Sequence, residues 1–413
     1  MRLLIIAILA LSAIATGCSL MRSGPPSITN TPAPELAGPL AATTLPEDTP
    51  TSQPAATGPT GSESATPSAT VATLSSVASS TPRPTRQFEF FGAITVQPDF
   101  EVDGQGENID SIAFWEAPDS TGTLMFVTAK ANQLVEVWRY PFTGQELPAI
   151  SGVFGSGQVN GIIMDQESEL LYVAQSEGSS TVYAFTISAE APHWELRETF
   201  SGPDLGSEPN LGLLNHASAG TWLYVTDSRR RVYVWDVELV SRQASPELVA
   251  EFSASDLESI ETILADDHHQ VIYIPDENGR SGVYAYNPDG TLFLKNGTSR
   301  FGSEEVFQSD EEGILLYRCL SNNGGDTGRG LIVVADQKDD LTDFEFFDRQ
   351  TWGHLGSLRL EGVSNTDGIA STQQDLPGYP LGIFAAINDD DTTVGVGWDK
   401  IFTATRLRCG DSR

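Results

Sequence analysis

Carboxylate side chains recur in this sequence at one end of short apolar segments. In residues 260–277, Glu261 precedes an apolar run, a polar connection follows, and residues 271–274 alternate as a second strand. Asp276 and Glu277 come directly after that second strand. Two short strands joined by a polar turn predict half of a β-sheet blade, with acids gathered at one of its ends.

The same two-part unit occurs six times after residue 88. Each copy begins with a pair of residues that leads into an apolar strand, and a second apolar strand follows. The six pairs are Asp110-Ser111, Asn160-Gly161, Leu211-Gly212, Glu261-Thr262, Glu312-Gly313 and Asp367-Gly368. This repetition, with abundant glycine and almost no helical periodicity, predicts an all-β protein built as a six-bladed β-propeller.

In a propeller, the residues that begin the innermost strands meet at one mouth of the central channel. Acids stand at this position in four of the six units, and two more lie at the same end: Asp110, Glu261, Glu312 and Asp367, with Glu277 and Asp310. Carboxylates so close together repel one another unless a cation neutralises them. Many oxygen ligands in loose geometry suit Ca²⁺, whereas zinc sites use His and Cys. The alternative is that each acid caps a turn at a solvated rim.

These segments resemble the β-propeller phytases. The resemblance rests on residues 260–277, 309–313 and 365–369, on 110–115 with 128–130, and, in the closing segment, on 380–385, 388–391 and Trp398. It implies a calcium-dependent phosphomonoesterase that releases phosphate from phytate, inositol hexakisphosphate, or from related esters by metal-activated water. Carried over by position, the calcium ligands would be Asp110, Glu261, Glu277, Asp310, Glu312 and Asp367. Glu261, Asp310 and Lys130 would form the catalytic set, with Lys130 contacting phosphate.

The phosphate-binding half of the family pattern is only partly present. Ser111 stands where the family has a second Asp, Ala131 where it has a second Lys, and residues 156–161 replace an Arg-Asn-Asn pattern. Leu211 aligns with a family Tyr, and residues 229–231 lie near a family Lys. Two other functions therefore stay open. One is a non-catalytic, calcium-stabilised propeller that binds a partner or glycan, and the other is a lactonase or similar calcium hydrolase.

The N-terminal residues predict export. Residues 1–17 contain Arg2, an apolar core and small residues directly before Cys18, which is typical of a bacterial lipoprotein signal peptide with Cys18 lipidated. The alternative is an ordinary secretory peptide with an incidental cysteine. Residues 18–87 are rich in Thr, Ser, Pro, Ala and Gly and predict a disordered linker. We therefore expect a monomeric domain, 88–413, anchored by lipid to the outside of the bacterial membrane.

Charge and cysteine content narrow the choice of partners. The chain has 23 Lys and Arg against 56 Asp and Glu, a net charge of -33, which disfavours nucleic acid as a partner. If Cys18 is lipidated, Cys319 and Cys409 remain as a pair in an oxidising compartment. From the sequence, a disulfide and two free thiols are equally open.

Overall fold

The computed structural model describes residues 88–409, except for 144–145, 177–180, 203–204, 280 and 339. The predicted signal peptide, Cys18 and the predicted linker lie outside the described residues. Within those residues the chain is mostly strand, with two short α-helices, α1 (Glu238–Ser241) and α2 (Trp398–Thr405). None of the helices in the described part of the chain has the length and apolar character needed to cross a membrane.

The strands form six consecutive sheets, and the predicted six-bladed β-propeller is confirmed. Two strands precede the first blade, β1 (Gly92–Val96) and β2 (Phe100–Asp103). Blade one contains β3 (Ile109–Trp115), β4 (Leu124–Ala129), β5 (Leu134–Arg139) and β6 (Glu146–Ile150). Blade two contains β7 (Gln158–Asp165), β8 (Leu170–Ser176), β9 (Thr181–Ile187) and β10 (Trp194–Ser201). Blade three contains β11 (Leu211–His216), β12 (Gly220–Asp227), β13 (Arg231–Asp236) and β14 (Glu247–Ser253).

The second half of the ring repeats this order. Blade four contains β15 (Leu264–Asp266), β16 (Val271–Pro275), β17 (Val283–Tyr286) and β18 (Arg300–Phe301). Blade five contains β19 (Asp310–Leu320), β20 (Asp326–Gln337), β21 (Asp343–Asp348) and β22 (His354–Leu360). Blade six contains β23 (Ile369–Thr372), β24 (Ile383–Asn388) and β25 (Thr392–Gly397). Successive strands within each blade are antiparallel.

The N-terminal strands close the ring. β2 pairs antiparallel with β25, from Phe100 opposite Gly395 to Asp103 opposite Thr392, and so becomes the fourth strand of blade six. β1 pairs in parallel with β22 and adds a fifth strand to blade five. Because the first and last parts of the chain share one sheet, the ring has no open end at this point.

The middle strands are apolar on both faces because each blade packs against two neighbours. In β4 every residue is buried: Phe126 packs against blade two, whereas Met125 and Val127 pack against blade six. An apolar cluster of this kind lies at each of the six blade interfaces. A strand that is buried on both faces has a continuous apolar run in its sequence rather than a strict alternation of apolar and polar residues. The middle strands of this chain have such continuous runs.

Side-chain hydrogen bonds join neighbouring blades at one end of the channel, from residues that follow the first residue of four of the repeat pairs by six positions. The Gln373 side chain accepts a hydrogen bond from the backbone N–H of Arg318 at 2.9 Å and donates one to its carbonyl at 2.8 Å. Gln166 accepts from the backbone of Glu116, Asp267 accepts from that of Asn215, and Glu116 accepts from that of Gln373. We call these four side chains, Gln166, Asp267, Gln373 and Glu116, the interblade clasp.

Candidate metal centre

Glycines in the repeat pairs bring the innermost strands together at the other end of the channel. A side-chain carbon on Gly368 would lie 2.1 Å from the carbonyl oxygen of Asp110, and one on Gly161 would lie 2.6 Å from the Cα of Asn210. One on Gly313 would lie 3.0 Å from the backbone nitrogen of Ile369. Each of these glycines therefore lets the backbone of the next blade approach. The residues before them consequently crowd one rim, which we call the acidic mouth.

Three of the predicted calcium ligands form a compact group at this mouth. Glu261 lies in the segment before β15, Glu277 follows β16, and Glu312 is near the start of β19. One carboxylate oxygen from each side chain lies within 4.8 Å of the others. No ion pair joins any of the three to a Lys, Arg or His of the described residues. We call Glu261, Glu277 and Glu312 the carboxylate trio.

The trio holds more negative charge than its surroundings neutralise. Burial raises the pKa of Glu312 far above its usual range, and a hydrogen bond with Glu261 and the charges of Glu261 and Glu277 raise it further. Burial also raises the pKa of Glu261, partly offset by the hydrogen bond from Glu312. Oε2 of Glu312 is buried and has no hydrogen-bond partner among the described residues. In the absence of a cation, the pair therefore keeps a proton that acids in water would lose.

Two other predicted ligands instead bind a lysine. The ammonium of Lys130 lies 2.8 Å from Oδ1 of Asp110 and 3.4 Å from Oδ2 of Asp367, and all three side chains are largely buried. Burial by itself would lower the pKa of Lys130, but the charges of Asp110, Asp367 and Glu261 outweigh burial and raise it well above its usual value. Lys130 is thus a permanent cation fixed inside the acidic mouth.

Asp310 occupies a more peripheral position. It is the first residue of β19 and is half-buried. The pKa of Glu277 is raised by burial and lowered by a hydrogen bond from Ser259 Oγ at 2.6 Å. The negative charges of Glu208 and Asp310 raise the pKa of Glu277 further. Asp310 is therefore near enough to act on Glu277, but it is not part of the carboxylate trio.

The structure adds two acids to this mouth that the sequence patterns did not indicate. Oε1 of Glu208 lies 3.9 Å from the ammonium of Lys130. Glu208 precedes Leu211 by three residues, so a search just upstream of the two blades that lack a repeat acid would have found it. Asp390, in the turn between β24 and β25, hydrogen-bonds with Asp367, and its pKa is raised first by burial. Gln337 also contacts this group by donating to Oδ1 of Asp367 at 2.6 Å.

Blades two and three offer different groups to the mouth. In blade two, buried Asn160 accepts a hydrogen bond from Ser176 at 2.9 Å, while its Nδ2 has no partner among the described residues. In blade three, Arg231 is paired with Asp227 at 2.8 Å, and Arg230 donates to the carbonyl of Leu257 at 3.0 Å.

Arg229, in the same turn of blade three, is exposed and borders the loop that carries Glu208. A side-chain carbon on Gly206 would lie 3.3 Å from Nε of Arg229, so the guanidinium packs against this glycine.

A second group of acids in blade five is an ion-pair network. Asp336, Asp343 and Glu345 also bring oxygens within 4.8 Å of one another. The ammonium of Lys338 lies 2.9 Å from Asp336 and 2.7 Å from Asp343. Arg359 pairs with Asp343, and His354 lies 2.7 Å from Glu345. Since these acids already have basic partners, the carboxylate trio is the stronger candidate for a cation site.

Cys319 and Cys409 form a disulfide, with Cα atoms 5.2 Å apart. The bond joins β19 to the segment that follows α2. Of the two alternatives that the sequence left open, the pair of free thiols is therefore wrong.

Comparisons with known proteins identify no family. No model of a protein family matches the chain, and no curated protein matches it. One similar solved structure is a chain described as "Crystal Structure of Mitotic Checkpoint Complex". It is 10% identical, with a TM-score of 0.45, over 79% of this chain and 98% of that chain. So distant a likeness carries no argument about function.

Proposed function

We propose that the domain is a calcium-dependent phosphomonoesterase that acts on phytate or related phosphate esters at the acidic mouth. The observation that carries this proposal is the carboxylate trio. Three acids from two blades meet without an ion pair to a basic residue of the described part of the chain, and one buried oxygen of Glu312 has no hydrogen bond there. A buried acid in that condition is costly unless a proton or a cation accompanies it.

The donor set fits calcium. All the groups are oxygens from flexible carboxylates, and no His or Cys of the described residues belongs to the group. Calcium prefers such oxygens and tolerates irregular geometry. Glu261, Glu277 and Glu312 would hold the ion, with Asp310 beside Glu277, and Asp110 and Asp367 on the side of Lys130. When bound, calcium supplies positive charge that attracts phosphate and makes water more acidic.

The protein's own cations would orient the substrate. Lys130 is fixed by Asp110 and Asp367, so it can offer a remaining N–H to a phosphate oxygen without moving. Arg229 of blade three borders the loop that carries Glu208, and guanidinium groups bind phosphate through two parallel hydrogen bonds. Asn160 Nδ2 provides a further donor from blade two. These three groups would serve in place of the family cations that the sequence lacks.

Phosphate release tests the proposal directly. The chain from residue 19 onward would be incubated with phytate and with a simple aryl phosphate, at pH values from about 5 to 9, with and without calcium. We expect calcium-dependent release that Glu312→Gln abolishes and Glu311→Gln leaves intact. The Glu311 side chain is a matched control because its pKa is affected by Asp276 and Asp336 rather than by the trio. Absence of phosphate release at every pH would refute the proposal.

A second function is a non-catalytic propeller that uses calcium for rigidity and binds a partner or glycan. It is favoured by the pairing of Lys130 with two carboxylates, which leaves this cation less charge to offer a substrate. This function predicts that calcium raises the melting temperature while no phosphate ester is hydrolysed. A ligand that binds only the folded state must stabilise it.

Export and lipid attachment complete the proposal. A lipid on Cys18 would hold the domain at the outer face of the bacterial membrane, where phosphate esters from the surroundings are accessible. Cys18→Ser should move the protein from the membrane fraction to the soluble fraction after cell lysis. Persistence of the variant in the membrane fraction would contradict lipid anchoring.

A further inference from the structure

A large cavity lies beside the last turn of α2, next to the disulfide. It has a volume of about 880 Å³ and is bounded by the C-terminal part of β19, by α2 and by residues 406–409. Three arginines, Arg318, Arg406 and Arg408, line it. We call it the basic cavity. Its size is within the range of about 300–1,000 Å³ that is usual for small-molecule sites.

The charge of this cavity is opposite to that of the protein. The whole chain has only 23 basic residues against 56 acidic ones, yet three exposed arginines surround one cavity. None of the three guanidinium groups is in an ion pair with a carboxylate of the described residues. By comparison, Arg231, Arg242, Arg349 and Arg359 all have acidic partners. Three arginines line the cavity against one acid, Asp399, and such an excess of positive charge favours the binding of an anion.

The covalent structure holds two of these arginines in place. Arg318 directly precedes Cys319, and Arg408 directly precedes Cys409. The disulfide therefore brings together two guanidinium-bearing residues that are 90 positions apart. Arg406 follows the last residue of α2 and adopts a left-handed backbone conformation, with φ of 61°. The arrangement consequently depends on tertiary structure rather than on a run of basic residues.

The remaining wall is mixed in character. Leu407 and Phe402 provide apolar and aromatic surface, while Asn322 and Thr403 provide hydrogen-bonding groups. Asp399 adds one acid to the described part of the wall, where the arginines outnumber it. A cavity of this composition suits a compound with a compact organic body and an anionic group. A bare ion would leave the apolar surface uncovered.

We propose that the basic cavity binds a small organic anion, a phosphate- or carboxylate-bearing compound of about the size of a sugar phosphate. Guanidinium groups bind both kinds of anion through paired hydrogen bonds. The site is separate from the acidic mouth, because Glu312 and Arg318 are six residues apart on β19, a distance of about 20 Å along an extended strand. Binding of an anion in the basic cavity can therefore be tested independently of the proposed phosphatase activity.

Calorimetric titration of the chain from residue 19 onward tests the proposal. The probes are glucose 6-phosphate, glucuronate and neutral glucose. The buffer is freed of metal over a chelating resin, because a soluble chelator is itself a polyanion. We expect glucose 6-phosphate or glucuronate to bind and glucose not to bind. The anion that binds more tightly identifies the preferred charged group.

Two variants locate the binding. Replacing both Arg406→Gln and Arg408→Gln should weaken binding at least about tenfold, which is the loss expected for one charge-assisted hydrogen bond. Arg242→Gln is the control, since it removes an exposed positive charge directly after α1, in blade three. Reduction of the disulfide should also weaken binding, because Arg408 is then no longer held beside Arg318. Failure of both anions to bind, equal binding of glucose, or unchanged affinity in the double variant would overturn the proposal.

Discussion

At the scale of single residues, acids that occupy equivalent repeat positions have different environments. Asp110 and Asp367 are neutralised by Lys130, whereas Glu261 and Glu312 face each other and Glu277. The difference arises from Lys130, which directly follows β4. Its side chain lies at the boundary between blades six and one. The trio, which forms no ion pair with a described basic residue, is therefore where a bound cation would change the free energy of the protein most.

Replacing Glu312 should separate calcium binding from stability. The raised pKa of Glu312 means that the side chain is uncharged without metal, so Glu312→Gln should change the metal-free free energy of unfolding by less than about 1 kcal/mol. Calcium affinity should fall about tenfold or more. Loss of a residue that only hydrogen-bonds to a metal ligand already has an effect of this size, and Glu312 would be a ligand itself. Chemical unfolding at several calcium concentrations measures both quantities.

Glu311→Gln is the control for this comparison. Burial and the charges of Asp276 and Asp336 raise the pKa of Glu311 to about 9, so this side chain is also uncharged at neutral pH. It is adjacent to Glu312 in sequence but does not belong to the trio. An equal loss of calcium affinity in both variants would show that the trio is not the binding site.

At the scale of secondary-structure elements, the two ends of the innermost strands contact the neighbouring blades in different ways. Glycines at one end let neighbouring blades approach within contact distance, and the interblade clasp at the other end ties them together. The outer strands matter most where the ring closes. There, Phe100 of β2 packs its ring over Gly395, where a side-chain carbon would lie 2.1 Å from the Phe100 ring.

The clasp should contribute measurable stability. Gln373→Ala removes two hydrogen bonds between blades five and six, which together contribute about 1 kcal/mol at a partly exposed site. We expect a lower midpoint of guanidinium-induced unfolding. Gln350→Ala, at an exposed turn residue of blade five, is the matched control. If both variants unfold at the same midpoint, the clasp does not stabilise the ring.

Ring closure should depend on β2 far more than on β1. A chain that begins at residue 105 lacks β2 and exposes β25, losing the burial of Phe100 and Val102 at about 1.5–3 kcal/mol each. A chain that begins at residue 98 keeps β2 and lacks only β1, the fifth strand of blade five. Thermal unfolding should show a large loss in the first variant and a smaller one in the second. Equal melting temperatures for the two variants would contradict closure through β2.

At the scale of the whole molecule, negative charge is concentrated where six blades converge. The chain carries a net charge of -33, and the acidic mouth gathers acids from blades one, four, five and six with Glu208 from the connection between blades two and three. Such a mouth can keep its acids close together only with bound protons, with Lys130 or with a metal ion. The stability of the fold should therefore depend on pH and on calcium together.

Without metal, stability should fall as the pH rises from about 5 to 8. Burial raises the pKa of Glu261 to about 7 and, with the charge of Asp110, that of Asp367 to about 8. Unfolded carboxyls lose their protons near pH 4, so the folded state binds more protons throughout this window. The stabilisation from these bound protons is complete below pH 4. It is lost as the pH rises through the pKa values that Glu261 and Asp367 have in the folded state.

Melting temperatures in metal-free buffer and in calcium check this dependence. We expect a loss of several kcal/mol across the window without metal, since one pKa unit corresponds to about 1.4 kcal/mol. Calcium should restore most of it, and its effect should be larger at pH 8 than at pH 5 because protons compete for the same oxygens. A metal-free melting temperature that rises with pH would contradict the raised pKa values.

The sequence by itself determined the fold and the positions of the acids. Apolar strands, glycine pairs and a sixfold repeat are local signals, and a closed propeller follows because each blade must bury both faces. The repeat alone therefore predicts that Asp110, Glu261, Glu312 and Asp367 lie at one mouth.

Only the tertiary structure decided which groups meet. The partners of Lys130, the approach of Glu208, the Cys319–Cys409 bond and the basic cavity all join residues from distant parts of the chain. Their side chains belong to turns and strand ends, where no hydrophobic period constrains the residue type. Such contacts depend on how the ring closes, since the closure of the ring sets the distances between blades.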